Sequence, residues 1–298
     1  MIGAVDIGGT KIAVGMVDNS GRLLAQLENP TEPQRGPDYG LMLIGDMLRQ
    51  TASQAGGQLR GIGIGCTGPV NPLTGVLERN EFLLSWEGMN LTEALSRSFS
   101  VSAAMENDAD AAALGESAWG AGRDAKRFMY ITVSTGIGGG FVIDGQLYRG
   151  VDGAHPEIGH HVIDPSGPAC FCGAHGCWES LASGPALARR AGYESAQEVC
   201  AAAERGEPVA LSAVERVGYY LGLGLANLVT LFTPDVIALG GGVMHSRHLL
   251  WDTIQAIIRQ NCGLVPFEKT RIVPAALGAQ TGLIGAACVW MHRYGDLP

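Results

Sequence analysis

Short apolar runs closed by Gly, Asn, Asp or Pro predict strands near residues 2–6, 11–17, 23–28, 60–66, 101–106, 128–133, 140–143 and 236–240. Longer Ala- and Leu-rich stretches predict helices near 38–54, 90–98, 108–118, 182–191, 208–232, 246–260 and 278–294. Strands and helices intermix along the whole chain, which predicts an α/β fold.

The pattern contains an echo. "DIGGTKIAVGMVDNSGRLL" runs from a Gly-rich turn through a strand, turns at Asn19-Ser20-Gly21 and starts another strand; "STGIGGGFVIDGQLYRG" repeats that order with its hairpin at Asp144-Gly145. A duplication of this kind predicts two similar lobes facing each other across a cleft, each offering a backbone-lined loop to one ligand. A chain of 298 residues is long enough for two such lobes.

Composition narrows the function classes. The net charge of −9 and a pI near 5.2 would repel a phosphate backbone, so no nucleic-acid partner is expected. No apolar run reaches the roughly 18 residues of a membrane span. The N-terminus shows no basic n-region or small-residue cleavage site, and a cytoplasmic location is expected. Glycine, at 44 residues, is about twice its usual share of roughly 7%, which implies many tight turns or close backbone approaches. The seven cysteines are an odd number and do not suggest a disulfide framework, but three of them cluster.

Two kinds of glycine loop need separating. Gly63-Ile64-Gly65-Cys66-Thr67-Gly68 matches GxGxxG after a strand, yet a dinucleotide site also needs a helix to open at once and point its N-terminus at the pyrophosphate. Pro69 and Pro72 bias the following residues away from helical angles, so the dinucleotide reading is rejected. Asp6-Ile7-Gly8-Gly9-Thr10-Lys11 has strand-like residues on both sides and reads as a tight β-hairpin, whose successive N–H groups can form an anion-binding concavity. Ser134-Thr135-Gly136-Ile137-Gly138-Gly139-Gly140 again combines hydroxyls with glycines, and the two loops together point to phosphate.

A cysteine cluster adds metal. His160, Cys170, Cys172 and Cys177 form H-x9-C-x-C-x4-C, and three thiolates with one imidazole complete a tetrahedral zinc shell. With four protein ligands no position is left for water, so such a zinc is structural. His161 and His175 are rival ligands on this reading.

DIGGTK, ENDADAAALGE (106–116), STGIGGG, HPEIGH (155–160), CFCGAHGCWE (170–179) and VIALGGGV (236–243) fall in the order seen in the ROK family of sugar kinases, and the resemblance covers nearly the whole chain. It implies the two-lobed, duplicated actin/hexokinase-like (ribonuclease H-like) fold with a central ligand cleft. The expected domains are a small lobe, 1–117, joined by the C-terminal helix 286–298, and a large lobe, 118–285, that carries the zinc loop. The family's phosphate loops correspond to Asp6, Gly8, Gly9, Thr10 and Lys11, and to Thr135 and Gly136. Asp6 would organise Mg2+, and Gly241 and Gly242 would approach ATP. Asn107 and Asp108 resemble the family's sugar-binding and catalytic pair, with Asp108 the base. Either of them could also be an ordinary helix N-cap.

Glu157, His160 and Glu179 match the partners of the other sugar hydroxyls, while Gly68 and Asn80 are expected to line the sugar pocket. The family takes the histidine of its Gly-His pair as the zinc ligand, here His160, which could then meet sugar through its other ring nitrogen.

The resemblance implies ATP-dependent phosphorylation of a hexose 6-hydroxyl, with glucose leading and fructose, mannose or N-acetylmannosamine as alternatives. His155-Pro156 departs from the common glucokinase pattern, where small residues precede the Glu, and is similar to the fructokinase branch. Family repressors carry a helix-turn-helix ahead of DxGGTK, whereas here that loop begins at residue 6. A sugar-sensing regulator without activity is the alternative from another class, and a homodimer is the family expectation.

Overall fold

A computed structural model of the chain describes residues 1–79 and 81–295. The chain divides into two compact units. One holds Met1–Lys126, Gly140–Pro156 and the segment from Ala276 onward; the other holds Arg127–Gly139 and Glu157–Ala275.

The first unit begins with β1 (Ile2–Ile7), β2 (Lys11–Val17), β3 (Leu23–Pro30), α1 (Pro37–Ala55) and β4 (Gly61–Cys66). The small hairpin β5 (Val70–Asn71) and β6 (Val76–Leu77) follows, then α2 (Leu91–Phe99), β7 (Ser102–Asn107) and α3 (Asp108–Trp119). The sheet order is β3-β2-β1-β4-β7, antiparallel from β3 to β1 and parallel from β1 to β7.

The remaining elements are β8 (Arg127–Val133), β9 (Ile137–Ile143), β10 (Gln146–Leu147), α4 (Trp178–Ala182), α5 (Gly184–Ala191), α6 (Ala196–Glu204), α7 (Pro208–Phe232), β11 (Val236–Gly240), α8 (Trp251–Asn261), β12 (Arg271–Pro274) and α9 (Thr281–Tyr294). The second sheet runs β10-β9-β8-β11-β12, with β10 antiparallel to β9 and β11 parallel to both β8 and β12. Numbered within each sheet, both orders are 3-2-1-4-5, so the echo in the sequence is a repeated topology.

Alternation along β1 distributes the first unit's core. Val5 and Ile7 pack with Ile44 and Leu48 of α1, whereas Ile2 and Ala4 pack with Ala286, Ala287 and Trp290 of α9. The period of two sends successive side chains to opposite faces.

The GxGxxG stretch serves this packing. A Cβ on Gly63 would lie 1.9 Å from the Ala286 carbonyl oxygen, so bare backbone is what lets α9 close onto β4. After β4 the chain enters the β5–β6 hairpin rather than a helix, in agreement with rejecting a dinucleotide site.

Several stretches differ from the sequence expectation: strands β5, β6 and β12 form where none is expected. The helix expected over 246–260 is a 3-10 segment, Gly242–Leu249, followed by α8, and the helix expected over 182–191 is divided at Ser183 into α4 and α5. Helix α6 forms where none is expected; the Ser195 hydroxyl accepts the Glu198 N–H at 3.2 Å, an N-cap that the Ser-x-x-Glu spacing encodes.

Candidate active site

In the first unit, the DIGGTK segment is the tight hairpin expected. Ile7 pairs with Ile12 across β1 and β2, the Gly8 N–H donates to the Lys11 carbonyl at 2.9 Å, and the Thr31 hydroxyl donates to the Gly8 carbonyl at 2.7 Å. Gly9 and Thr10 form its tip, with Phe82 against Gly9. Lys11 is exposed and its Nζ pairs with Glu28 at 2.9 Å.

Asp6 lies on the β1 face that meets α9, where a Cβ on Gly282 would come within 2.2 Å of its Oδ2. Burial, and then the nearby Asp108 carboxylate, push Asp6 up to about 7. Two acidic oxygens in electrostatic reach of each other form a hard donor set that suits a divalent cation.

The Asn107-Asp108 pair sits where β7 runs directly into α3. Asn107 is the N-cap: its side-chain oxygen accepts the Ala109 N–H at 2.8 Å. Asp108 is the first helical residue and half-buried, and its Oδ1 also accepts from the Ala109 N–H at 2.8 Å. Gly68 lies beside this pair, since a Cβ there would come within 2.8 Å of Asn107 Nδ2. Asn80 lies outside the described residues.

In the second unit, the other glycine loop, Glu179 and the cysteine cluster adjoin one another. The Ile137 N–H donates to Glu179 Oε2 at 2.9 Å, and a Cβ on Gly136 would meet the same oxygen at 2.4 Å. Gly159, between Glu157 and His160, packs still more closely: its Cβ would lie 1.9 Å from the Ile137 carbonyl oxygen. Thr135 and Glu157 are exposed. Gly241 holds a positive φ of 89°, with the Val133 carbonyl oxygen 2.4 Å from where a Cβ would stand, and Gly242 opens the 3-10 segment after it.

The ligand atoms of His160, Cys170, Cys172 and Cys177 all lie within 4.8 Å of one another. A tetrahedral zinc–thiolate shell has ligand-to-ligand edges of about 3.8 Å, so the four residues fit that ion. His160 turns Nδ1 toward the cluster, 3.4 Å from Cys170 Sγ, and Cys172 and Cys177 sulfurs are 3.5 Å apart. The rival histidines are not in the group: His161 instead directs Nδ1 to the Ile158 carbonyl at 2.5 Å. Burial pushes the Cys177 thiol up to about 12, while the Ala174 backbone N–H lowers Cys172.

Two features were not read from the sequence. Glu116 is fully buried at the end of α3 and accepts from the backbone N–H groups of Ala121, Ala276 and Leu277 at 2.9, 3.0 and 2.8 Å, which ties the loop before α9 to α3. Glu106 and Asp110, on either side of the Asn107-Asp108 pair, are held by Arg149 and His155. The acidic residues stand in the quoted ENDADAAALGE, but nothing local names their partners some 40 residues away.

Two sheets of the same permutation, each with a glycine loop at its first hairpin, define an actin/hexokinase-like α/β protein. The chain belongs to the ROK family, whose model matches residues 2–293. It is similar to a glucokinase of Thermotoga maritima, 30% identical over 311 aligned positions that cover 98% of this chain and 97% of that protein. Among solved structures it is similar to a ROK hexokinase from Thermus thermophilus, with 34% identity, a TM-score of 0.88 and 99% of each chain covered. A ROK glucokinase from Streptomyces griseus, crystallised with glucose and AMPPNP, is 32% identical with a TM-score of 0.83, covering 96% of this chain and 97% of that one. These relatives place it with the sugar kinases of the family.

Proposed function

We propose that the chain is an ATP-dependent hexokinase that phosphorylates the 6-hydroxyl of glucose. The observation that supports this most directly is the division of roles at the start of α3. Asn107 is the cap, and the half-buried Asp108 carboxylate shares the Ala109 N–H through Oδ1 only, so its second oxygen is the one proposed to take the proton. The likeness to a glucokinase that holds glucose and AMPPNP supports both substrates.

On this reading the sugar 6-hydroxyl oxygen attacks the terminal phosphorus of ATP, the bond from that phosphorus to the ADP oxygen breaks, and the hydroxyl proton passes to Asp108. Asn107, Glu157, His160 and Glu179 bind the other hydroxyls. Gly68 and Asn80 are the further residues proposed for the sugar. The Gly8–Lys11 turn and Thr135-Gly136 hold the phosphates, and Gly241-Gly242 meets the nucleoside side of ATP. Magnesium held near Asp6 would neutralise phosphate charge. Zinc on His160, Cys170, Cys172 and Cys177 would be structural, holding the His160 ring in one orientation.

His155-Pro156 ahead of Glu157 supports fructose as the second acceptor, with mannose and N-acetylmannosamine behind it. ADP release measured over a panel of sugars tests the proposal, and glucose should give the highest kcat/KM. Sugar binding without ADP release from any of them would overturn it in favour of a regulator.

A further inference from the structure

Glu106 and Asp110 bracket the Asn107-Asp108 pair, the first near the end of β7 and the second in the opening turn of α3. Both are buried, and both are held by the segment that follows β10. Arg149 grips Glu106 with two nitrogens, Nη1 donating to Oε2 at 2.6 Å and Nη2 to Oε1, and stands 4.0 Å from Asp110 Oδ2. His155 Nδ1 lies 2.8 Å from that same Asp110 oxygen.

The Asp110 side chain is only 1% exposed, and its Oδ1 has no hydrogen-bond partner among the described residues. Strand β9 passes this carboxylate as bare backbone: a Cβ on Gly140 would come within 2.8 Å of Oδ1. Burial, and then the Arg149 charge, lower the pKa of His292 on α9.

Stability alone is a poor reason for such a cluster, because well-packed apolar residues often replace buried ion pairs at no loss. What charged pairs supply is directional restraint, and here it acts on the residues just before and just after Asn107-Asp108. A general base tolerates little displacement, since an error of about 1 Å in placing reacting groups can cost on the order of a hundredfold in rate.

We propose that Arg149 and His155 are positioning residues for Asp108, fixing the backbone on both sides of it through Glu106 and Asp110. This rests on Asp108 being the base. Loss of either clamp should lower kcat far more than it changes affinity for ATP.

The test uses the full chain and compares His155→Leu, which deletes the ring donor, with His155→Asn, whose amide nitrogen can take the Nδ1 position. Arg149→Met is the second variant. Per folded molecule, His155→Leu and Arg149→Met should each lower kcat about tenfold or more with little change in KM for ATP, and His155→Asn should recover most of the loss. If Arg149→Met does not fold, Asp110→Asn, which keeps size and removes charge, takes its place with the same expected loss.

Each change is then repeated in an Asp108→Asn background. There it should alter residual kcat less than about twofold, because the group being positioned is gone. Losses that multiply in that background, or a wild-type kcat in both His155→Leu and the second variant, would overturn the inference. Nearly full activity in Asp108→Asn alone would instead overturn the base assignment, so the two failures are distinguishable.

Discussion

The Asn107 side chain accepts the Ala109 backbone N–H at 2.8 Å, which makes residue 107, one position before the proposed base, the cap of α3. On the proposed reading the cap and the base are different residues, although both side chains accept the Ala109 N–H, and the two roles can be separated by mutation. In Asp108→Asn the amide oxygen can still accept from Ala109, so the melting temperature should move by no more than about 2 °C, while kcat should fall on the order of 10² to 10⁴. Asn107→Ala should cost about 1 kcal/mol of stability, readable in thermal melts. An Asp108→Asn enzyme with more than about a tenth of wild-type kcat would refute the base.

Protein purified without chelator should contain about one zinc per chain by metal analysis, as four ligands make one closed site. Cys172→Ser should lower both zinc content and sugar affinity, because Nδ1 of His160 faces the same cluster. A metal-free variant with wild-type sugar affinity would break the link between the cluster and the sugar.

Gly159→Ala should damage the second glycine loop. Its Cβ would stand 1.9 Å from the Ile137 carbonyl oxygen, so one of the two backbones must move. A loss of about 1–3 kcal/mol in stability is expected for overpacking, with a raised KM for ATP. Unchanged melting and kinetics would show that the contact gives way freely.

Glu106 sets an expected pH dependence. Burial pushes it up to about 7 against the opposing pull of Arg149, with Asp110 and His155 as its other charged neighbours. The folded chain then holds this proton more tightly than the unfolded chain, so the contribution is fully present below about pH 4.5 and is lost as pH rises through about 7. Between pH 5 and 8 the melting temperature of Glu106→Gln should fall less than that of the wild type, as followed by calorimetry. Equal slopes would place the titration elsewhere, with His292 and His155 next to be replaced.

The sequence by itself determined what is local. Alternation and turn residues placed the strands of both sheets except β12, together with the hairpin at Asp144-Gly145 and the tight turn at Gly8, because hydrophobic period and backbone angles act over a few residues. The repeated order of loop, strand and hairpin was legible for the same reason, and it carried the doubled 3-2-1-4-5 topology. Closely spaced cysteines likewise pointed to the group of ligand atoms that the structure brings within 4.8 Å of one another.

Spacing alone left His160, His161 and His175 open and the family resemblance implied His160; only the tertiary structure shows His160 grouped with the three cysteines while His161 turns Nδ1 to the Ile158 carbonyl. It also decided that Asn107 caps α3, that the GxGxxG glycines admit α9 onto β4, and that Arg149 and His155 clamp the acids flanking Asp108. The Asn107 cap is local, and there the sequence offered two equivalent neighbours; the other features depend on groups brought together from separate parts of the chain, and such a contact leaves no periodic trace in either segment.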